Sequence, residues 1–254
     1  MAPLRSLLQR FDPISLAEMD GVRLQDRMDT KFVFPDRSLS QVLEALIPHY
    51  RLLEVNGMRG AEYRSLYFDS PALRHYFDHH NGRTLRSKVR FREYVGSGLC
   101  FLEVKRKTGT GRTDKARRRE DAIPLALTAD QAAFIANAKG GDEELVPVLW
   151  NNFTRLTLVS RTSPERLTID IGLRYTDGSG TTAHETPLSG VCVAELKQER
   201  ADRSSPFARV MRQLGIRPSG MSKYCIGMLL LHADLKHNMF KEVLRKLDRI
   251  RAAA

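Results

Sequence analysis

The stretch TLRSKVRFREYVGSGLCFLEVKRKTGTGRTDK (84–115) places a cation at nearly every second position of segments that otherwise read as β-strands. Successive strand side chains point to opposite faces, so Arg86, Lys88, Arg90 and Arg92 share one side while Val89 and Phe91 cover the other. Glu103, Lys105 and Lys107 repeat the alternation on the next run, and Lys115, Arg117 and Arg119 on the one after. Three consecutive strands, separated by glycine-bearing turns at 96–98 and 109–111, are therefore expected to build one cationic surface. Like charges this close repel one another, and the arrangement makes sense if a polyanion such as a chain of phosphates fills the space they share.

The same alternation recurs further along the chain. NNFTRLTLVSR (151–161) carries Arg155, and ERLTIDIGLRYTD (165–177) places Arg166, Thr168, Asp170 and Arg174 on one face. In GVCVAELKQE (190–199), Glu195 and Lys197 alternate with Ala194 and Leu196, which puts a carboxylate among the cations. If these strands close into an antiparallel barrel with the charged faces inward, the interior is a tunnel and the apolar core lies outside. That core would comprise Val89, Phe91, Leu102, Val104, Leu156, Leu158, Leu167, Ile169 and Ile171, packed under helices. The expected fold class is α+β, an antiparallel β-barrel tunnel with helices packed outside. Its lumen is stable only when wet or filled by an anion, because unpaired buried cations are costly.

Helical patterns fall at SLSQVLEALIPHY (38–50), with Ser38 as N-cap, at PALRHYFDHH (71–80), opened by Pro71, and at LTADQAAFIANA (127–138), begun by Thr128 and Asp130. Two further helical stretches, SPFARVMRQLG (205–215) and SKYCIGMLLLHADL (222–235), precede the basic NMFKEVLRKLDRI (238–250). With no low-complexity linker and no repeat, the reading is a single domain over 1–254, its core about 22–235 and its C-terminal helix 238–250.

Lys and Arg number 41 against 30 Asp and Glu, a net charge of +11, so an anionic partner is expected. Cys100, Cys192 and Cys225 fit neither a disulfide framework nor a zinc site, which points to a reducing, cytoplasmic setting. The N-terminal MAPLRSLLQRFDPISL has no secretory pattern, and the apolar run 226–231 is far too short to span a bilayer. Association with the inner face of a membrane would come through a partner protein. His75, His79 and His80 look like a metal cluster but read better as surface or supporting groups. KARRRE (115–120) resembles a nucleic-acid patch, yet Arg118 points away from Arg117 and Arg119, which disfavours nucleic acid as a partner.

Taken in order, RMDTKFVFP (27–35), SLYFDSP (65–71), HNGRTLRSKVRFREY (80–94), FLEVKRKTGTGRTDKARR (101–118), NNFTRLTLVSR, ERLTIDIGL (165–173), VCVAELK (191–197) and SKYCIG (222–227) resemble a known family. It is the catalytic domain of the vacuolar transporter chaperone (VTC) type, a polyphosphate polymerase within the CYTH-like, triphosphate tunnel superfamily. The resemblance implies that Lys31, Arg90, Arg92, Lys105, Lys115, Arg155, Arg166 and Lys223 bind the phosphates of ATP and the growing chain. It implies that Glu195 holds a Mn²⁺ or Mg²⁺ ion and, with Lys31, Arg90, Arg92, Lys105 and Arg155, forms the catalytic set. Phosphoryl transfer needs alignment and charge neutralisation rather than a protein nucleophile, which suits these residue types. Hydrolytic relatives carry an ExExK strand near the N-terminus, whereas this chain reads Arg27, Met28, Asp29, Thr30, Lys31, which resembles the polymerase branch. Ser219, Gly220, Met221 and Ser222 stand where the eukaryotic pattern has a further lysine. The alternatives are a triphosphatase or tripolyphosphate hydrolase and a non-catalytic polyphosphate-binding module.

Overall fold

A computed structural model describes residues 2–20, 28–109, 113–180 and 185–252. Its strands are β1 (Pro13–Ile14), β2 (Met28–Pro35), β3 (Tyr50–Leu53), β4 (Ala61–Asp69), β5 (Arg86–Tyr94), β6 (Leu99–Lys107), β7 (Thr113–Glu120), β8 (Val146–Ser160), β9 (Glu165–Asp177), β10 (Thr186–Pro187) and β11 (Val191–Gln198). The helices are α1 (Ala2–Gln9), α2 (Leu16–Asp20), α3 (Leu39–Leu46), α4 (Arg74–His80), α5 (Ala129–Lys139), α6 (Pro206–Gln213), α7 (Lys223–Leu231) and α8 (Lys241–Ala252). Residues 110–112 of the second glycine turn and Arg27 lie outside the described residues.

The strands form one sheet in the order β2-β11-β9-β8-β4-β5-β6-β7, and each of these neighbouring pairs is antiparallel. The fold is α+β, as the alternation requires. Among the described residues β2 and β7 are not hydrogen-bonded to each other, so the sheet wraps without closing its ladder. Even so, the start of α7 joins the two flanks, Ser222 accepting from Lys88 of β5 and Lys223 donating to Asp170 of β9.

The expected outer core is present in two parts. Leu156, Leu158, Leu167 and Ile169 pack with α3 and α6 residues, and Ile171 lies half-buried against them. Val89, Phe91, Leu102 and Val104 pack beneath Ile135 of α5. Thr128 and Gln131 form a reciprocal capping box at the start of α5. Ser38 precedes α3 without a side-chain cap, because a 3-10 turn over Asp36–Ser38 leads into the helix. The helix expected from Pro71 begins only at Arg74, with Leu73 in the left-handed conformation (φ 54°) before it. The fully buried Asp69 carboxylate takes over the capping task, accepting from the backbone N–H groups of Ser70, His75 and Tyr76.

A third apolar cluster lies on the inner face, where the alternation alone had placed only charge. Val33, Val193, Tyr67, Phe153, Leu173 and Tyr175 pack there against α7 and α8. Gly227 makes the seating of α7 feasible, since a Cβ there would meet the Tyr175 ring at 2.5 Å and Leu149 at 2.7 Å. One parity argument fails at Gly172, whose φ of +61° marks a register irregularity between β8 and β9. Before it, Thr168 and Asp170 face inward; after it, Leu173 and Tyr175 do. Arg174 therefore leaves the face of Asp170 and instead lies 3.5 Å from Glu185.

Candidate functional site

On the flank formed by β8, β9, β11 and β2, Arg155, Lys223, Lys31 and Lys197 are each matched to an acid. Arg155 donates from Nε and Nη2 to Asp170 at 2.6 and 2.8 Å, and Lys223, the first residue of α7, donates to the same carboxylate. Burial would raise the Asp170 carboxyl, but the Lys223 ammonium and the Arg155 guanidinium hold it well below the usual range. Glu195 and Lys31 are directly cross-strand partners, and the Glu195 carboxylate accepts from Lys31 and from Lys197, the latter at 2.6 Å. Burial opposes ionisation of Glu195 as well, and the two ammonium groups overcome it. Arg166 faces Lys197 across β9 and β11.

The flank formed by β4, β5, β6 and β7 has a different balance. Glu103 is the inward carboxylate there, and Arg90 takes most of it, with Nε at 2.8 Å and Nη2 at 2.7 Å. Arg90 is fixed further by the Tyr67 hydroxyl, which accepts from Nη1 at 3.1 Å. Arg92, only 8% exposed, lies 5.2 Å from the Tyr63 ring centroid and has as polar partners a 3.4 Å contact to Ser65 Oγ and a 3.9 Å approach to Glu103. Lys88 donates to Ser222 Oγ at 2.9 Å, a neutral acceptor. Lys105 and Lys115, directly opposite each other, form no hydrogen bond or ion pair among the described residues. Arg117 lies 3.4 Å from the Phe101 ring centroid and 3.9 Å from Glu103.

The field of these cations registers on Lys105, Lys88, Arg92 and His79. Burial, followed by Lys115, Lys88 and Lys31, pushes Lys105 below the ordinary lysine value. Burial likewise lowers Lys88, with Arg90 and Arg86 adding to it. Arg92 falls to about 10 through burial and the adjoining Arg90. His79 is pushed down to about 3 by burial and by Lys88, Arg86, Lys107 and Lys105, so its ring stays neutral. An excess of cations held in place, with too few acids to match, is a binding surface for a polyanion.

The structure thus gathers Lys31, Arg90, Arg92, Lys105, Arg155, Glu195 and Lys223 on one inner face, with Lys115 at its exposed β7 end and Arg166 beside Lys197. The residue types alone did not show that Asp170 anchors two of these cations, nor that Tyr67 and Ser222 each hold one. An aspartate at an inward position of an otherwise apolar strand was the available signal. The histidines are not surface groups: His75 and His80 are 3% and 5% exposed, and His79 and His80 pack against Phe240. His75 instead sits 3.6 Å from Asp69 and 3.5 Å from Glu143. The basic run 115–120 is divided between two faces, with Arg118 turned outward to Glu120 and Asp130, 2.7 and 2.8 Å away.

Among the described residues no three His, Cys, Asp or Glu side chains gather into a cation cage. Glu195 is the inward carboxylate of β11, and its two oxygens are engaged by Lys31 and Lys197. A single inward carboxylate fits only a divalent ion that arrives with phosphate oxygens and keeps its waters, and one that displaces an ammonium group from Glu195. It does not fit a closed protein cage.

Comparison with solved structures gives distant likenesses. The HpAC1 protein of Hippeastrum, described as having a dominant triphosphatase activity, is 17% identical, with a TM-score of 0.48 over 83% of this chain and 97% of that one. A Vibrio parahaemolyticus protein named for adenylate cyclase is 12% identical, with a TM-score of 0.42 over 87% of this chain and 99% of that one. Likeness this remote says nothing of what this chain does. No curated protein matches the sequence. A family model described as the VTC domain matches residues 26–232, and the chain belongs to the VTC domain family.

Proposed function

We propose that this chain is an ATP-dependent polyphosphate polymerase that transfers the γ-phosphate of ATP to the end of a phosphate chain lying along the inner face. The observation that carries the reading is the unmatched charge of Lys88, Arg92, Lys105 and Lys115 on a face where Arg90, Arg155, Lys223, Lys31 and Lys197 are held by carboxylates. Membership of the VTC domain family points the same way.

In this reading Arg90, clamped by Glu103 and Tyr67, is a fixed fork for phosphate oxygens. Arg92, Lys88, Lys105 and Lys115 neutralise the charge of the chain. Arg155 and Lys223, pinned by Asp170, form a rigid floor, and Lys31 and Arg166 extend the surface toward β11. A terminal oxygen of the chain forms a bond to the γ-phosphorus while the bond to the bridging β-γ oxygen breaks, and ADP leaves. Alignment and charge neutralisation carry this step, and no protein nucleophile is needed. A divalent ion on Glu195 would supply Lewis-acid stabilisation of phosphate oxygens. Lys31 and Lys197 keep that carboxylate ionised in its absence.

We place the whole of 1–254 in this one unit, with α8 covering the inner core, and we place it in the cytoplasm on the strength of three buried, unpaired cysteines. Among the described residues no helix is long and apolar enough to cross a membrane. The test is incubation of the purified protein with ATP and Mn²⁺, with products resolved by ³¹P NMR. Internal phosphate signals with matching ADP are expected. ADP with free phosphate and no internal phosphate signal beyond that of ATP would replace the reading with a hydrolase, and tight triphosphate binding without turnover would replace it with a binding module.

A further inference from the structure

A second concentration of positive charge lies at the β2 end of the inner face, past Val33, in a groove of about 1000 Å³ between the β2 edge, the 215–220 loop and α8. Its floor is apolar, made by Val33, Pro35, Ile216 and Ile250. Its walls carry Arg217 from the loop and Arg245, Lys246 and Arg249 from α8, against one lining carboxylate, Glu242. Positions 242, 245, 246 and 249 recur at the spacing of one helix face, so the three α8 cations project together. None of Arg217, Arg245, Lys246 or Arg249 forms an ion pair with a carboxylate among the described residues.

A solvated basic helix face would account for exposed arginines, but it does not account for Lys246. Its side chain is half-buried and turns inward to donate to Ser219 Oγ at 2.7 Å. Burial and the adjacent Arg249 push its ammonium below the ordinary lysine value. The same loop reaches the inner face: the Ser219 N–H donates to the Lys31 carbonyl at 2.8 Å, and Ser222 receives Lys88. The groove therefore borders the β2 strand that carries Lys31, and the 215–220 loop lines it.

We propose that this groove is a second phosphate-chain site, with Arg217, Arg245, Lys246 and Arg249 as its contacts. Guanidinium forks suit phosphate oxygens. Three cations spread over five residues of α8, with Arg217 opposite, span more than one phosphate group and match a linear polyanion better than a single oxyanion. The site requires no turnover at the inner face and stands whether or not the chain is a polymerase.

The experiment is calorimetric titration of the full chain with inorganic tripolyphosphate, and separately with orthophosphate, for wild type, Arg245→Glu/Arg249→Glu and Arg92→Gln. Arg245 and Arg249 are exposed, so the double variant keeps its fold, and Lys246→Met, which retains the aliphatic stem, serves as a second probe. Two classes of tripolyphosphate site are expected in wild type. The groove variants should lose one class, with at least a tenfold drop in affinity, while ATP turnover stays within twofold. Arg92→Gln should weaken the other class and leave the groove intact, and orthophosphate should bind the groove at least tenfold more weakly than tripolyphosphate. Unchanged stoichiometry in the groove variants would overturn the proposal, as would orthophosphate binding equal to that of the chain.

Discussion

The two flanks of the inner face carry the same residue types to opposite ends. On the β8–β9–β11–β2 side, Asp170 and Glu195 each hold two cations, so four cations share two carboxylates; every one of the four has an acid partner and the set forms a rigid element of the fold. On the β4–β5–β6–β7 side, Glu103 is largely taken by Arg90, and Arg92, Lys88, Lys105 and Lys115 lack an acid of their own. Removing one partner of a buried pair costs more than the pair is worth, whereas an unmatched buried cation, here Arg92, already costs stability. The difference teaches that charge on a shared face is not one property: one flank is architecture, the other is waiting for an anion.

The sharpest way to break the comparison is Asp170→Ala, which strands Arg155 and Lys223 without a counter-charge. We expect a loss of about 3–5 kcal/mol, read as a melting temperature lowered by roughly 10 °C. Next, Glu195→Gln should cut ATP turnover by about 100-fold, while tripolyphosphate affinity stays within about threefold of wild type, as kinetics and calorimetry would show. On the unmatched flank the sign reverses. Arg92→Gln or Lys105→Met should weaken tripolyphosphate about tenfold, roughly 1.4 kcal/mol, yet leave the melting temperature of the free protein unchanged or higher.

A smaller effect follows from proton linkage. Lys88 and Lys105 are depressed below the ordinary 10.5 by burial and by their cationic neighbours, and a bound phosphate chain reverses that depression. Binding should therefore take up protons in the window between the depressed and ordinary values, about one per chain or fewer, and affinity should fall as pH rises through it. In the free protein the unfolded chain binds more protons than the folded one in that window, so these two groups make stability rise with pH. Calorimetry in buffers of different ionisation enthalpy reads the proton uptake directly. The smallest expected change is Gly172→Ala, about 1 kcal/mol of strain at φ +61°, because only that backbone conformation lets Asp170 and Leu173 face the same way.

Much of this was legible in the residues. Alternation in β5, β6 and β7 separated the cations from Val89, Phe91, Leu102 and Val104, because a strand's period of two admits no other arrangement. The inner core was not legible, since SKYCIGMLLL is apolar on all sides and nothing local states which sheet face it will meet. Arg174 was misplaced because a single left-handed glycine inverts parity, and a glycine within a strand announces a bulge without stating its register. Pairing was hidden as well: the cations of both flanks look alike in sequence, and only the register of Asp170 opposite Arg155 and of Glu195 opposite Lys31 separates them.

The most direct test of the central claim is a crystal structure of the protein with bound tripolyphosphate. The account predicts phosphate density against Lys88, Arg92, Lys105 and Lys115, with the Arg155–Asp170 pair intact beneath it. Density that instead displaces Asp170 from Arg155 and leaves Arg92 and Lys105 untouched would contradict it.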